Sequence, residues 1–272
     1  MNDPESDLTR KERREQARLQ RKAIEEAEAG QAAQRKRLMQ LGGVAVVVVV
    51  IIAIIVVATG SGSKSAPAPK SAAANSALAT VTTMLQGIPQ QGNALGNPKA
   101  PVTMQYFGDL ECPFCKQFTV STLPTIIQKY VRAGKLRIEY HSMETATKDP
   151  EVFRTQQIAA YAAGKQNLAW YFIELFYHEQ GEEDSGYVTE SYLQGLASQV
   201  PGLNLSAWSE ARNDPTYANE VISDAQAATQ NGFTGTPSFM LGKTGGTLTK
   251  FESSSLTEAG PFEAAIEKQL KA

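Results

Sequence analysis

The stretch Glu111-Cys112-Pro113-Phe114-Cys115 holds both cysteines of the 272-residue chain. An apolar run at residues 102–107 precedes it and has the pattern of a strand. A helical pattern over residues 114–131 follows it. A Cys-x-x-Cys pair at such a junction between a strand and a helix indicates a redox site.

Both cysteines are expected to lie in the first turn of the helix, and the pKa of Cys112, at its very start, is expected to be lowered. A spacing of three residues places both sulfurs on neighbouring positions, and Pro113 suits a first turn whose N–H groups lack intrahelical partners. Those N–H groups and the helix dipole favour an anion, so the pKa of the Cys112 thiol should lie below its usual value of about 8.5. We therefore predict Cys112 as the nucleophile and Cys115 as the resolving thiol. An ionised Glu111 nearby would oppose the thiolate.

The composition argues against other kinds of site. A net charge of −2 gives no general attraction toward nucleic acid, and a single close cysteine pair is not a disulfide-stapled scaffold. Structural zinc requires four ligands, and beyond the cysteines the chain offers only His141 and His178, far apart in sequence. The sequence has no phosphate-binding glycine loop, nucleophile elbow or acid pair. We predict no metal and no cofactor.

The N-terminal part has the pattern of a membrane anchor. Residues 1–40 form a charged tail with ten Lys/Arg and eight Asp/Glu, and residues 41–58 form an uncharged apolar run. The length of this run is close to the ~20 residues that span hydrocarbon as a helix. A cleaved signal peptide is the alternative, with Ala72-Ala73-Ala74 as an acceptable peptidase site. The apolar core of a signal peptide is usually shorter, about 7–15 residues.

The charges on either side of the apolar run set its predicted orientation. Basic residues cluster just before the run, at Arg35, Lys36 and Arg37. By the positive-inside rule the N-terminus lies in the cytoplasm and the cysteines lie outside the cell membrane, where a reversible disulfide can persist. Residues 59–79 are rich in Gly, Ser, Ala and Pro, and are expected to form a flexible linker.

Residues 80–272 are predicted to form an α/β domain. Strand patterns lie at residues 81–85, 102–107, 135–141, 237–241 and 247–251. Between the third and the fourth pattern a helical insertion occupies about residues 145–231, and a last helix covers residues 261–271. Pro124 should kink or divide the helix that follows the cysteines. The aromatic residues of the insertion are expected to be core, namely Trp170, Tyr171, Phe172, Phe176 and Tyr177.

Two separated stretches resemble the DsbA-like branch of the thioredoxin superfamily. They are residues 106–118, YFGDLECPFCKQF, and residues 232–239, GFTGTPSF. The helical stretch 167–179 is also similar. The resemblance implies an α/β, thioredoxin-like fold with an inserted helical subdomain, here preceded by one N-terminal transmembrane helix.

The resemblance also implies the composition of the site. Thr236-Pro237 would be a cis peptide beside the active-site cysteines. Thr236 and Pro237, together with Pro113 and Phe114, would contact the substrate. The dipeptide between the cysteines departs from the best-known family pattern, Pro-His. A cationic His would stabilise the thiolate, and Phe114 cannot.

These features predict an extracytoplasmic thiol–disulfide oxidoreductase that introduces disulfides into exported proteins through the Cys112–Cys115 pair. Its partners would be client proteins with cysteines, membrane lipid around residues 41–58, and a membrane redox partner. That partner would be a quinone-coupled oxidase of the DsbB or vitamin-K-epoxide-reductase type. Two alternatives remain open: a reductase or isomerase with the same site, and a non-enzymatic anchored chaperone that senses redox state.

Overall fold

A computed structural model describes residues 72–272, and a mixed sheet lies at the centre of this part of the chain. Its strands are β1 (Gln90–Gln91), β2 (Ala94–Leu95), β3 (Val102–Gly108), β4 (Leu136–Ser142), β5 (Ser238–Lys243) and β6 (Thr249–Phe251). They are arranged in the order β1-β2-β4-β3-β5-β6. Strand β3 runs parallel to β4 and antiparallel to β5. The end of β3, which leads to the cysteines, therefore lies beside the start of β5.

Helices surround the sheet. In chain order they are α1 (Ala72–Leu85), α2 (Pro113–Ser121), α3 (Leu123–Ile126), α4 (Pro150–Gly164), α5 (Ala169–His178), α6 (Glu190–Gln199), α7 (Leu205–Ala211), α8 (Pro215–Gln230) and α9 (Gly260–Lys271). A π-helical turn, Ile127–Val131, continues α3. Helices α4 to α8 lie between β4 and β5, so the predicted helical insertion is confirmed in its position.

An aromatic cluster holds the helix that carries the cysteines against the sheet. Phe118 of α2 lies 4.8 Å from Phe239 of β5, measured between ring centroids. Phe239 in turn lies 5.0 Å from Phe262 of α9. All three side chains are buried, and burying each contributes about 1.5–3 kcal/mol. The position of α2 is therefore set by the core of the domain and not by the cysteines.

The predicted division of the helix after the cysteines is confirmed. Helix α2 ends at Ser121, and Pro124 lies in the first turn of α3. Because proline has no N–H, it is tolerated at the start of a new helix but not in a helix interior. Thr122 at the break is buried and its hydroxyl donates to the carbonyl of Leu256 at 2.8 Å. This hydrogen bond thus connects the break between α2 and α3 to the segment before α9.

The first helix of the insertion, α4, begins with a capping aspartate and a proline. Asp149 precedes Pro150, and its carboxylate accepts hydrogen bonds from the N–H groups of Glu151 and Val152 at the start of α4. Such a cap satisfies N–H groups that have no partner within the helix. The aromatic side chains Trp170, Phe172, Phe176 and Tyr177 are fully buried, as predicted, whereas Tyr171 is half-buried.

The predictions for residues 72–85 were wrong. Residues 81–85 were expected to form a strand, and residues 72–79 to belong to the flexible linker, but both are parts of α1. Alanine is the strongest helix former, and five of the 14 residues of this helix are alanine. Ala77, Val81 and Leu85 are all buried, and their spacing of four places them on one face of a helix.

The predicted charged tail (1–40), transmembrane helix (41–58) and first part of the linker (59–71) lie outside the described residues. Within residues 72–272, no helix combines the length and the apolar character that crossing a membrane requires.

Three tyrosines converge where β3 ends. A methyl group on Gly108 would lie 2.9 Å from Cε2 of Tyr140, 2.9 Å from the hydroxyl of Tyr177 and 3.2 Å from Cε2 of Tyr106. The hydroxyl of Tyr106 donates to that of Tyr177 at 3.1 Å, and Tyr140 donates to the carbonyl of Gly108 at 3.1 Å. Only glycine leaves room for these rings at the approach to the cysteines.

Gly108→Ala is therefore expected to lower the free energy of unfolding by about 1–3 kcal/mol, the usual cost of overpacking a core. Urea denaturation would measure it. Gly195→Ala is the matched control, because Gly195 is exposed in α6 and an added methyl group meets no atom within 4 Å. This control should be neutral or stabilising by up to about 1 kcal/mol. Equal stabilities for the two variants would contradict the packing argument.

Candidate redox site

The two cysteines lie at the start of α2, as the sequence predicts. Cys112 is the N-cap residue of this helix and Pro113 its first residue, and Cys115 belongs to the first turn. Both thiols are free; Cys112 is 4% exposed and Cys115 is completely buried. Phe114 between them is 60% exposed. Both cysteines are thus buried, and Cys112 is the one that retains a small solvent exposure.

The surroundings of the two sulfurs shift their pKa values in opposite directions. A hydrogen bond from Cys115, aided by Thr236 and by the backbone N–H groups of Cys115 and Phe114, lowers the pKa of Cys112 to about 6 against the effect of burial. Burial raises the pKa of the Cys115 thiol well above its usual value, and the neighbouring Cys112 sulfur adds to the rise. At neutral pH Cys112 is therefore a thiolate and Cys115 a thiol.

The second matching stretch lies beside the cysteines. The Thr236-Pro237 peptide is cis, as the resemblance implied. The Cys112 thiol donates to the carbonyl oxygen of Thr236, with 3.4 Å between sulfur and oxygen. Thr236 and Pro237 are half-buried. Beyond Pro237 a shallow groove of about 360 Å³ continues past Phe251 and Leu256.

Asp109 organises the loop between β3 and α2, and the sequence did not single it out. Its buried carboxylate accepts hydrogen bonds from the N–H groups of Thr145, Ala146 and Thr147 at 2.8–3.0 Å. It also accepts from the N–H of Glu111 at 3.1 Å and from the hydroxyl of Thr147 at 2.7 Å. An aspartate just after a strand is a common turn former through such side-chain bonds. That signal could have identified the bond to Glu111, but not the four bonds from residues 145–147.

The helical insertion also contacts the cysteine loop. The amide nitrogen of Gln180 donates to the carbonyl oxygens of Leu110 at 2.7 Å and Cys112 at 3.2 Å. The Lys116 ammonium donates to the carbonyl of Gln180 at 3.1 Å, and the Tyr177 hydroxyl donates to the carbonyl of Asp109 at 3.1 Å. No sequence signal marks Gln180, because its partners lie about 70 residues away along the chain.

Glu111, directly before Cys112, has a buried side chain. The side chain is 3% exposed. Burial raises the pKa of the Glu111 carboxyl, a hydrogen bond with Thr147 acts against the rise, and the charges of Asp109 and Asp184 add to it. Glu111 is therefore held in the interior beside Thr147 and not in solvent.

Neither histidine belongs to the cysteine site. His141 lies on β4, and its Nδ1 is 2.6 Å from a carboxylate oxygen of Asp224. Burial acts to lower the pKa of His141, but hydrogen bonds with Asp224 and Glu139 outweigh it and raise the value to about 9. Burial and the nearby Lys116 charge lower the pKa of His178. Among residues 72–272, no group of three or more His, Cys, Asp or Glu side chains is arranged to hold a metal ion.

Comparison with known proteins identifies a family for this chain. The family model described as "Thioredoxin" matches residues 90–255. A probable disulfide bond formation protein D of Bacillus cereus is 25% identical over 179 residues, which cover 65% of this chain and 78% of that protein. Disulfide bond formation protein D of Bacillus subtilis is 25% identical over 149 residues, covering 54% of this chain and 66% of that protein.

Solved structures share the fold. Oxidised BdbD from Bacillus subtilis superposes with a TM-score of 0.57 at 22% identity, covering 68% of this chain and 98% of that one. Alpha-DsbA1 from Wolbachia pipientis gives 0.54 at 20% identity, covering 69% and 92%. The family match, the fold and the Cys-x-x-Cys pair agree with one another, and the chain belongs to the thioredoxin family as a DsbA-like thiol–disulfide oxidoreductase.

Proposed function

We propose that the protein introduces disulfide bonds into exported proteins through the Cys112–Cys115 pair. The observation that supports this most directly is the difference between the two buried cysteines: the surroundings of Cys112 lower its pKa to about 6, whereas burial raises the pKa of Cys115. A stabilised thiolate favours the reduced pair and makes its disulfide a stronger oxidant.

The exchange would run in two steps. A client thiolate attacks the Cys112 sulfur of the oxidised pair, the Cys112–Cys115 bond breaks, and Cys115 leaves with the electron pair and takes up a proton. A second client thiolate then attacks the client sulfur of the mixed disulfide and releases Cys112 as a thiolate. Two electrons pass from the client to the protein, and the client gains one disulfide. The low pKa of Cys112 makes it a good leaving group in the second step.

Client binding would involve the residues around Cys112. Phe114 offers an exposed aromatic face next to the sulfur, and Pro113 is exposed beside it. Thr236 and Pro237 border the sulfur on the other side. An extended client segment lying between these two sides would bring its cysteine to Cys112, the less buried of the two sulfurs.

To test the assignment of the nucleophile, Cys112 of a Cys115→Ala variant would be loaded with glutathione and mixed with a reduced peptide that carries one cysteine. A peptide–Cys112 conjugate is expected to accumulate on a non-reducing gel, because no second thiol resolves it. The matched variant, Cys112→Ala treated in the same way, should give no conjugate because Cys115 is fully buried. Conjugation through Cys115 alone would refute the assignment.

The direction of electron flow can be measured. Equilibration with glutathione should give a reduction potential less negative than about −180 mV, the value typical of protein disulfide isomerase. A value near about −270 mV, like that of thioredoxin, would favour the reductase alternative.

Since the pKa of Cys112 is lowered on folding to about 6, the thiolate stabilises the folded, reduced protein above the usual thiol pKa. That contribution should disappear as the pH falls through about 6.

The proposed location of the protein in the cell depends on residues outside the described range. Residues 41–58 would anchor the chain in the membrane, residues 1–40 would lie in the cytoplasm, and residues 59–71 would link the anchor to the extracytoplasmic domain. This arrangement would bring the cysteine pair near a quinone-coupled membrane oxidase of the DsbB or vitamin-K-epoxide-reductase type, which would reoxidise it.

Carbonate extraction of cells that express the full chain should leave the protein in the membrane pellet, because an apolar helix of this length partitions into lipid. Deletion of residues 41–58 should release it. Full-length protein found in the carbonate supernatant would argue against the anchor, and protease digestion of intact spheroplasts would report which side the domain occupies.

A further inference from the structure

A second buried carboxylate, that of Asp224 on α8, joins this helix to the end of β4. Asp224 is 5% exposed. One of its oxygens lies 2.6 Å from Nδ1 of His141. The other accepts hydrogen bonds from the N–H of Ser142 at 2.8 Å, from the Ser142 hydroxyl at 3.1 Å and from the Tyr161 hydroxyl of α4. A buried polar network with this many bonds makes the elements that supply it rigid.

The contact between His141 and Asp224 is an ion pair at neutral pH. Burial acts against the charge of His141, but Asp224 and Glu139 outweigh it and raise the pKa to about 9. Glu139 lies 3.9 Å from Nε2 of His141 and is itself paired with Arg137. Glu220, one turn before Asp224, adds a further carboxyl near the imidazole. The His141 ring is therefore held by carboxylates of both α8 and β4.

The His141 ring is connected to the cis-proline loop, which we define as residues 231–237 between α8 and β5. It stacks on Phe107 of β3 with 4.9 Å between ring centroids. Phe107 in turn lies 5.0 Å from Phe233 of the loop. These two phenylalanines belong to a small buried cluster that also contains Met143, Ala228 and Met240. Phe233 thus anchors the loop on a ring whose other neighbour is the ion-paired imidazole.

The far end of the same loop meets the nucleophile. The Cys112 thiol donates to the carbonyl oxygen of Thr236 at 3.4 Å. We infer that Asp224 is a positioning residue: by holding the His141 ring on Phe107 it fixes Phe233, and with it the cis-proline loop, in the place where a client segment lies. The inference rests on the proposed binding of clients between this loop and Phe114.

The test compares two reactions of the oxidised full chain. One is reduction by a peptide with a reduced cysteine pair, which lies along the cis-proline loop. The other is reduction by dithiothreitol, which has no peptide backbone to do so. Asp224→Ala should lower the peptide rate relative to the dithiothreitol rate about three- to tenfold, within the range found for residues that act on a site without contacting its ligand.

Gln226→Ala is the matched control, because Gln226 is exposed on the same helix, and its ratio of rates should equal that of the wild type. If Asp224→Ala does not fold, Asp224→Asn takes its place. It keeps the shape and one acceptor oxygen and removes the charge that holds the imidazolium, so it should lower the ratio by a smaller factor.

Phe107→Leu tests the route from Asp224 to the loop. It keeps a buried apolar side chain and removes the ring between His141 and Phe233, so it should lower the same ratio. Combined with Asp224→Ala it should lower the ratio little beyond the larger single effect, because residues in one chain of contacts are not additive.

A wild-type ratio in the Asp224 variants would overturn the inference, and so would effects of Asp224→Ala and Phe107→Leu that add in full. A wild-type protein that reacts with dithiothreitol but not with the peptide would instead refute the proposed function.

Discussion

The buried carboxylate of Asp109 is the interaction on which the arrangement of the redox site depends. Removing a charged group from water costs several kcal/mol unless hydrogen bonds replace its hydration. Here five donors surround it, four from the backbone and one from a hydroxyl. They come from the cysteine loop and from the segment that follows β4. Without this carboxylate three consecutive N–H groups would lose their partner, at a cost of about 1–3 kcal/mol each.

The chemistry of the site follows from this geometry and from the position of α2. The aromatic core fixes the helix, and the start of the helix places Cys112 at the N-cap and Cys115 one turn deeper in the core. Cys112 therefore receives N–H and hydroxyl donors, whereas Cys115 lies where a charge has no solvation. The dipeptide between the cysteines, Pro113-Phe114, carries no charge. The groups that lower the pKa of Cys112 to about 6 are the Cys115 thiol, Thr236 and backbone N–H groups, none of which carries a formal charge.

The sequence predicts the parts of the fold that depend on local patterns. The β3–α2 junction and the break at Pro124 involve residues close together in the chain. The sequence did not predict helix α1, because small residues are typical of both linkers and alanine-rich helices. In addition, the burial of Val81 and Leu85 depends on packing against helix α5, which is distant in the chain.

The residues that support the cysteines were missed for the same physical reason. Asp109 and Thr145 are 36 residues apart, and Thr145 and Thr236 are 91 apart. Their contacts have no periodicity and no conserved spacing that one sequence reveals. Only the resemblance pointed to Thr236 and Pro237, and it did so without indicating what holds them.

The bonds from Gln180 to the carbonyl oxygens of Leu110 and Cys112 have a consequence for local opening. Gln180 follows α5, so separation of the insertion from the sheet would break two hydrogen bonds of the cysteine loop at once. We therefore expect opening of the insertion to be coupled to opening of the cysteine loop. The amide hydrogens of α5 and of the cysteine loop should accordingly share a common exchange barrier, although they lie in different subdomains.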